Sequence, residues 1–110
     1  MVNHYTPKQG DIVALTFDPQ AGHEQQGRRP ALIVSNEVFN KNVGLAIACP
    51  IANTDRNFPF HLKLDSSNLT GFVMCEQVKS INYRARKVKF IEKASDELLS
   101  HCLGIIESLF

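Results

Sequence analysis

The hydrophobic pattern along this chain is typical of short β-strands separated by polar turns. Apolar runs at residues 11–17, 30–35 and 43–51 have the composition of central strands, and residues 60–64 alternate between apolar and polar side chains as a half-buried strand does. Further short strands are predicted at residues 72–75, 78–81 and 88–91. Clusters of Gly, Pro, Asn and Asp separate these runs. Regular short strands of this kind predict a small barrel or a strongly twisted sheet.

Two segments carry helix signals instead. Ser35 is placed to cap a short helix that runs through Asn40 and ends near Gly44. Near the C-terminus Ser95 is a good N-cap, and the acids that follow it complement the helix dipole. The apolar residues of this second helix form two adjacent rows, which make a wide face. The rows are Leu98, Cys102, Ile105 and Leu109, and Leu99, Leu103, Ile106 and Phe110. Such a face either packs entirely on the sheet or leaves apolar surface for a partner, and both interpretations stay open.

Length and composition limit the class of protein. The chain has 110 residues, of which 44% are hydrophobic and 21% charged, and these values are typical of soluble globular domains. One domain over residues 1–110 is the expectation. The longest apolar runs are far shorter than the roughly 20 residues that cross a bilayer, and no secretory signal is visible. We therefore expect a cytoplasmic protein with no membrane partner.

The cysteines and histidines argue against a metal centre. Cys49, Cys75 and Cys102 lack metal-ligand spacing, and the histidines are scattered. A free thiol in an apolar stretch behaves as a small hydrophobe, and unpaired cysteines fit a reducing compartment. The sequence therefore predicts neither a metal nor another cofactor.

Charge is unevenly distributed along the chain. The net charge is only +1, so overall charge predicts no partner, but half of the 12 Lys and Arg residues lie between Lys79 and Lys93, where Glu92 is the only acid. Such a basic stripe is either a local anion site or a solvated strand edge protected by charge. Composition alone favours the strand edge.

Two long polar loops, residues 18–29 and 52–59, are the expected places for chemistry. In the first loop Arg29 stands directly before Pro30 and a buried strand, which limits its freedom. A guanidinium held in this way can bind a phosphate through two hydrogen bonds. Glu24 lies in the same loop and is placed to face Arg29. The alternative is a surface ion pair that contributes little to stability.

Several motifs together resemble the MazF/PemK ribonucleases, the toxin halves of bacterial toxin–antitoxin pairs. The first is GDIVALTFDPQAGHEQQGRRPALIVS at residues 10–35. It is followed by a CPI strand end at residues 49–51, an FPF turn at residues 58–60 and GFVMCEQVKSINYRAR at residues 71–86. The order and spacing of these motifs cover nearly the whole chain.

The resemblance implies both a fold and an activity. The fold is mainly β (α+β): an SH3-like, partly open small β-barrel of the MazF/PemK/CcdB type, with a C-terminal α-helix and a short inserted helix, that forms a homodimer. The activity is that of a type II toxin, a sequence-specific and metal-independent endoribonuclease that cleaves single-stranded messenger RNA. The implied partners are this RNA and a MazE-like antitoxin, through which alone the toxin reaches operator DNA.

The resemblance also suggests roles for residues of the first loop. RNA cleavage without a metal uses the 2′-hydroxyl as nucleophile and leaves a 2′,3′-cyclic phosphate and a 5′-hydroxyl. It needs a base, positive charge for the phosphorane and an acid for the leaving oxygen. Arg29 matches the family's arginine and is the candidate for phosphate stabilisation, while Glu24 is the candidate base. Histidine side chains change charge near neutral pH, so His23 is an alternative proton carrier, although the family does not require it.

One position departs from the family pattern. Ala52 stands where a Thr or Ser commonly helps to hold the scissile phosphate, and alanine donates no hydrogen bond. Either Asn53 or Thr54 substitutes as the phosphate-holding residue, or activity is reduced by on the order of 100-fold. The alternative function is therefore a weakened or inactive homologue that binds RNA or antitoxin without efficient cleavage. A gyrase poison of the CcdB type is disfavoured, because Glu24 and Arg29 follow the ribonuclease branch.

The basic stripe supplies further candidates for RNA contact. Gln77 shares strand parity with Lys79 and is the candidate for reading a base edge. The candidates for contact with the RNA backbone are Arg28, Lys79, Arg84 and Arg86, of which the last two also share strand parity. Candidates for a stacking face are Tyr83, Phe58 and Phe60, although core packing is the stronger expectation for the two phenylalanines. With the resemblance, the stripe is interpreted as an RNA-binding surface.

Overall fold

The computed structural model describes residues 5–16, 28–53 and 59–110. These contain seven strands, two helices and a 3-10 turn at Cys75–Gln77. In chain order the elements are β1 (Asp11–Leu15), β2 (Arg29–Ile33), α1 (Glu37–Val43), β3 (Ala46–Ala52), β4 (His61–Lys63), β5 (Phe72–Met74), β6 (Lys79–Ile81), β7 (Lys89–Lys93) and α2 (Asp96–Ser108). The predicted mainly β architecture with one short inserted helix and one C-terminal helix is confirmed.

The strands form one open antiparallel sheet with the order β4-β5-β3-β2-β1-β7. The long strand β3 pairs with β2 along one edge. Along its other edge, the first residues of β3 pair with β6 and the last two pair with β5. Because the 3-10 turn joins β5 directly to β6, these two strands act as a single interrupted strand beside β3.

The central strands bury side chains on both faces of the sheet. In β1, Ile12 packs in the core beneath α2 while Val13 packs in a second core on the opposite face. In β2, Leu32 and Ile33 divide between the two cores in the same way. A strand that is buried on both faces reads as a continuous apolar run. This explains why residues 11–17, 30–35 and 43–51 show so little alternation.

Both helices begin at side-chain caps, although one cap differs from the prediction. Ser95 caps α2 as expected, since its Oγ accepts a hydrogen bond from the Leu98 N–H at 3.0 Å. The cap of α1 is Asn36 rather than Ser35, with Asn36 Oδ1 accepting from the Phe39 N–H at 2.8 Å. Ser35 does not cap α1, because its Oγ accepts a hydrogen bond from the Ile47 N–H of β3.

The wide apolar face of α2 is divided along its length. Leu98 and Cys102 are buried against the sheet, and Ile105 and Ile106 are half-buried. At the end of the chain Phe110 is 97% exposed. The sheet therefore absorbs the first part of the face and leaves its C-terminal end in solvent. Neither helix of the described residues is long and apolar enough to cross a bilayer.

Two predicted strands differ from the hydrophobic pattern, β3 in where it begins and β4 in which side chains it buries. Val43 lies in the last turn of α1 and is exposed, so β3 begins only at Ala46. In β4 the predicted alternation is wrong for His61, whose side chain is only 3% exposed. Its Nε2 lies 3.0 Å from Glu76 Oε2, and this hydrogen-bonding partner allows a polar side chain to be buried.

The three cysteines come together in the first core. The Sγ atom of Cys102 lies 3.3 Å from that of Cys75 and 3.9 Å from that of Cys49. All three thiols are free and buried, as expected of small hydrophobes. The hydrogen bond with Cys49, together with burial, outweighs the effect of Cys75 and raises the pKa of Cys102 to about 12. The hydrogen bond with Cys102 and burial likewise raise the pKa of Cys75. The thiols of Cys75 and Cys102 therefore stay protonated and unreactive near neutral pH.

Candidate functional site

The sheet brings Arg29 and Ala52 together at one of its ends. Arg29 begins β2 and Ala52 ends β3. In these antiparallel neighbours Ala31 pairs with Pro50. Arg29 lies two residues before Ala31 and Ala52 two residues after Pro50, so both stand just beyond the paired segment, at the same end of the two strands. The loop arginine and the position that departs from the family pattern are thus neighbours.

Both of these positions face away from α2. Ala31 and Ala48 belong to the core on the face opposite α2. Residues two apart along a strand share a face, so Arg29 lies on the face of Ala31, and Ala52 lies on the face of Ala48. Arg29 is exposed there. This end of the sheet therefore presents a guanidinium to solvent on its helix-free face.

The same row of cross-strand partners continues into β5 and β4. Ala52 pairs with Phe72, and Phe72 pairs with Lys63. We call Arg29, Ala52, Phe72 and Lys63 the site row. Lys79 pairs with Ala48 on the same face, about 13 Å along β3 from Ala52 at roughly 3.3 Å per residue. The three cations are exposed, so the face around the site row attracts anions.

Two arginines fasten the ends of the first long loop to the turn at residues 82–88. The Thr16 N–H donates to the Arg86 carbonyl at 3.2 Å, and Arg86 Nη1 donates to the Thr16 carbonyl at 3.1 Å. Arg28 donates to the main-chain carbonyls of Ala14 at 3.1 Å, Arg86 at 3.4 Å and Lys87. We call these hydrogen bonds the loop clamp. They give the side chains of Arg28 and Arg86, predicted as RNA contacts, main-chain partners in the protein itself.

The segment that carries Arg84 and Arg86 is a tight turn and not a strand, so the prediction that they share strand parity is wrong. Asn82 organises the turn, because its Oδ1 accepts from the Ala85 N–H at 3.1 Å and its carbonyl accepts from the Arg86 N–H at 3.0 Å. Lys87 completes it with a φ of 54°. Arg84 is exposed on this turn, whereas Arg86 is half-buried in the loop clamp.

The aromatic candidates for stacking fall in different environments. Tyr83 is only 3% exposed and its hydroxyl donates to the Asn40 carbonyl at 3.0 Å, so the prediction that its ring stacks on a base is wrong. Phe60 is 38% exposed rather than packed in the core, which corrects the stronger expectation for it. Phe58 lies outside the described residues.

Gln77 and Glu76 lie in the 3-10 turn between β5 and β6. Gln77 is exposed, but strand parity with Lys79 does not apply because Gln77 is not on a strand. Glu76 pairs with the buried His61 at 3.0 Å, and its second carboxylate oxygen, Oε1, is buried with no hydrogen-bond partner among the described residues. No local pattern indicated this pair, because the two residues lie on different elements that only the fold brings together.

Three residues of the predicted chemistry, namely Glu24, His23 and Thr54, lie outside the described residues. Asn53, the alternative phosphate-holding residue, directly follows Ala52 and is exposed. Within residues 5–16, 28–53 and 59–110, no three His, Cys, Asp or Glu side chains are arranged to hold a metal ion.

Comparison with known proteins identifies the family. The family described as "PemK-like, MazF-like toxin of type II toxin-antitoxin system" matches residues 8–110. The endoribonuclease toxin MazF of Escherichia coli K12 is 37% identical over 86 residues, which are 78% of this chain and 78% of that protein. The endoribonuclease toxin ChpB of the same strain is 36% identical over 109 residues, 94% of this chain and 93% of that protein.

Solved structures agree with the sequence comparison. MazF from Deinococcus radiodurans is 36% identical, with a TM-score of 0.85 over 96% of this chain and 97% of that one. The MazE-MazF complex from the same organism gives a TM-score of 0.88 at 36% identity, covering 96% of both chains. This chain therefore belongs to the PemK-like, MazF-like family of type II toxins, whose matched relatives MazF and ChpB are named endoribonucleases. The family resemblance is confirmed, as is the mainly β fold with a C-terminal helix that it implied.

Proposed function

We propose that this chain is a sequence-specific, metal-independent endoribonuclease of a type II toxin–antitoxin pair, acting on single-stranded RNA. The observation that carries the proposal is the site row, in which Arg29 stands at the same end of the sheet as Ala52, on a face that carries exposed cations. A phosphodiester is the anion that such a face binds in RNA, and guanidinium groups suit phosphate because they donate two parallel hydrogen bonds.

In the proposed reaction the ribose 2′-oxygen attacks the adjacent phosphorus and the bond from phosphorus to the 5′-oxygen breaks. Glu24 accepts the proton of the 2′-hydroxyl, and Arg29 stabilises the negative charge of the phosphorane. The 5′-oxygen leaves with a proton, for which His23 is the second proton carrier in the loop. The products are a 2′,3′-cyclic phosphate and a 5′-hydroxyl.

Ala52 supports a second candidate function, a weakened homologue that binds RNA or antitoxin without efficient cleavage. It lies at the same end of the sheet as Arg29, where a hydroxyl donor would be near the same phosphate, and a methyl group cannot donate. Asn53 is the next residue along the chain and is exposed, so its amide is the nearest described replacement. Loss of one transition-state donor costs on the order of 100-fold in rate.

The partners follow from the family. The structures of MazE-MazF from Deinococcus radiodurans hold a relative together with an antitoxin. We infer that a MazE-like antitoxin is the partner of this chain and that the toxin is a homodimer. It reaches operator DNA only through the antitoxin. We place the protein in the cytoplasm.

Cleavage of a long single-stranded RNA in the presence of a chelator tests the proposal. We expect discrete cuts whose 5′ fragments carry a cyclic phosphate, and we expect Arg29→Ala to slow them by about 10²- to 10³-fold. The matched control is Lys41→Ala, which removes an exposed cation from α1, near the other end of β3.

Three outcomes separate the candidate functions. Cuts that vanish in Arg29→Ala support the ribonuclease. RNA binding without cuts, converted to cutting by Ala52→Thr, supports the weakened homologue. Absence of cleavage in both the wild type and Ala52→Thr, with trapping of DNA gyrase instead, overturns the proposal in favour of the gyrase poison.

A further inference from the structure

Phe72 is a half-buried aromatic side chain that belongs to neither hydrophobic core of the described residues. Its neighbour Val73 is fully buried in the core beneath α2. Because successive residues of a strand point to opposite faces, Phe72 lies on the face away from α2. There it stands at the end of the sheet and beyond the second core.

The site row places Phe72 between Ala52 and Lys63. Phe72 is the direct cross-strand partner of both. Ala52 contributes only a methyl group beside the ring, and Lys63 contributes an exposed cation on the other side. An aromatic ring flanked by a small residue and a cation is the arrangement that binds a nucleobase on its face and a phosphate beside it.

Arg29 begins β2, which lies two strands from Phe72 in β5, and both residues stand at the same end of the sheet. Neighbouring strands are about 4.8 Å apart, so two strand spacings amount to about 10 Å. This span leaves room for one nucleotide, with its phosphate toward the guanidinium and its base toward the ring. Tyr83 cannot take this role because it is buried.

We propose that Phe72 is the stacking surface for one base next to the phosphate that Arg29 holds, and that it helps to set the position of the cut. This inference rests on the proposed ribonuclease function. The substrate class is single-stranded RNA, whose unstacked bases are recognised by stacking on aromatic side chains.

The test compares Phe72→Val and Phe72→Trp with the wild type on a short RNA that spans a mapped cut. Valine keeps the preference for a strand and removes the ring, whereas tryptophan keeps an aromatic face. We expect Phe72→Val to raise the half-saturating RNA concentration about tenfold while changing the maximal single-turnover rate little, and Phe72→Trp to restore binding. The matched control is Phe90→Val, which removes a ring that is 48% exposed on the edge strand β7.

Abasic RNAs identify the stacked base. Each nucleotide around the cut is replaced in turn by an abasic one, and binding is measured with a 2′-deoxy group at the cut so that the RNA stays intact. At the stacking position the abasic RNA binds the wild type more weakly, and Phe72→Val causes no further loss. At every other position the two losses add.

The outcomes distinguish this inference from the function on which it rests. Half-saturation unchanged in Phe72→Val, or additive losses at every abasic position, overturns the stacking role while RNA cleavage stands. Absence of cleavage by the wild type refutes the proposed function itself. If Phe72→Val unfolds more easily, Phe72→Trp decides, because failure of this folded aromatic variant to bind as tightly as the wild type also overturns the stacking role.

Discussion

Replacing Gly71 with alanine tests how the end of β3 is held beside the site row. Gly71 has a φ of +137°, which residues with a side chain rarely adopt. A Cβ atom added there would lie 2.9 Å from the Ala52 carbonyl oxygen and 3.0 Å from Ile51 Cγ2. Both atoms belong to a central strand that is paired on both edges. The backbone of β3 therefore has to move if Gly71 gains a side chain.

Two other glycines serve to separate backbone strain from steric overlap in the loss of stability expected for Gly71→Ala. Gly44 has a φ of +80° with nothing within 4 Å of an added Cβ, so Gly44→Ala measures conformational strain alone, about 1–2 kcal/mol. Gly71→Ala adds a steric overlap, which costs about 1–3 kcal/mol in packed structures. We therefore expect Gly71→Ala to lower the free energy of unfolding by about 2–5 kcal/mol. Gly104 lies in α2 with open space around it, and Gly104→Ala should stabilise by about 0.5–1 kcal/mol.

Urea unfolding of the three variants, followed by far-ultraviolet circular dichroism, measures these differences. This signal is suitable because the chain has no Trp. The folded Gly71→Ala protein should also cleave RNA more slowly, since the Ala52 carbonyl is displaced, whereas Gly44→Ala and Gly104→Ala should cleave at the wild-type rate. A Gly71→Ala loss no greater than that of Gly44→Ala would refute the close approach of Gly71 to β3.

Three further predictions address the loop clamp, the buried tyrosine and the thiols. Arg86→Ala removes the hydrogen bond to the Thr16 carbonyl. It should cost about 1–2 kcal/mol of stability and slow RNA cleavage, and Arg86→Lys should be intermediate in both. Wild-type stability and wild-type cleavage in Arg86→Ala would contradict the role of the loop clamp. Tyr83→Phe removes the hydrogen bond to the Asn40 carbonyl. It should cost about 1 kcal/mol of stability without changing the half-saturating RNA concentration. A rise in that concentration would show that Tyr83 takes part in RNA binding. The pKa of Cys102 is raised from 9.0 to about 12, so the folded state holds this proton more tightly than the unfolded state. The stability that this proton contributes is complete below pH 9 and is lost as the pH rises towards 12. The free energy of unfolding, measured in urea across this range, should fall less with pH in Cys102→Ala than in the wild type, and an equal fall in both proteins would contradict the raised pKa.

Local signals in the sequence were enough to predict the elements. The apolar runs that became β1, β2 and β3 are continuous because these strands are buried on both faces, and Ser95 caps α2 through a bond to a residue three positions away. Such features depend on neighbours in the chain. Where a residue had a distant competitor, local reasoning failed: Ser35 bonds to the Ile47 N–H of β3, so the cap of α1 passes to Asn36.

Family motifs extended this to the residues of the site but not to their arrangement. Arg29 and Ala52 were singled out from the sequence, but Phe72 and Lys63 were not. Only the strand pairing of β3, β5 and β4 places these two residues beside Ala52. Arg28 illustrates the same limit, because only the fold places main-chain carbonyl oxygens of the turn at residues 82–88 beside this side chain, whose contact with RNA stays a prediction.

Local patterns along the chain are thus enough to identify most strands and helices, the polar loops between them and the family. The positions of Phe72 beside Ala52, of His61 against Glu76 and of three thiols in one core emerge only from the folded chain. Strand register and packing depend on contacts between residues far apart in the sequence. Spacing along the sequence does not encode those contacts, and the chemistry of the site depends on them.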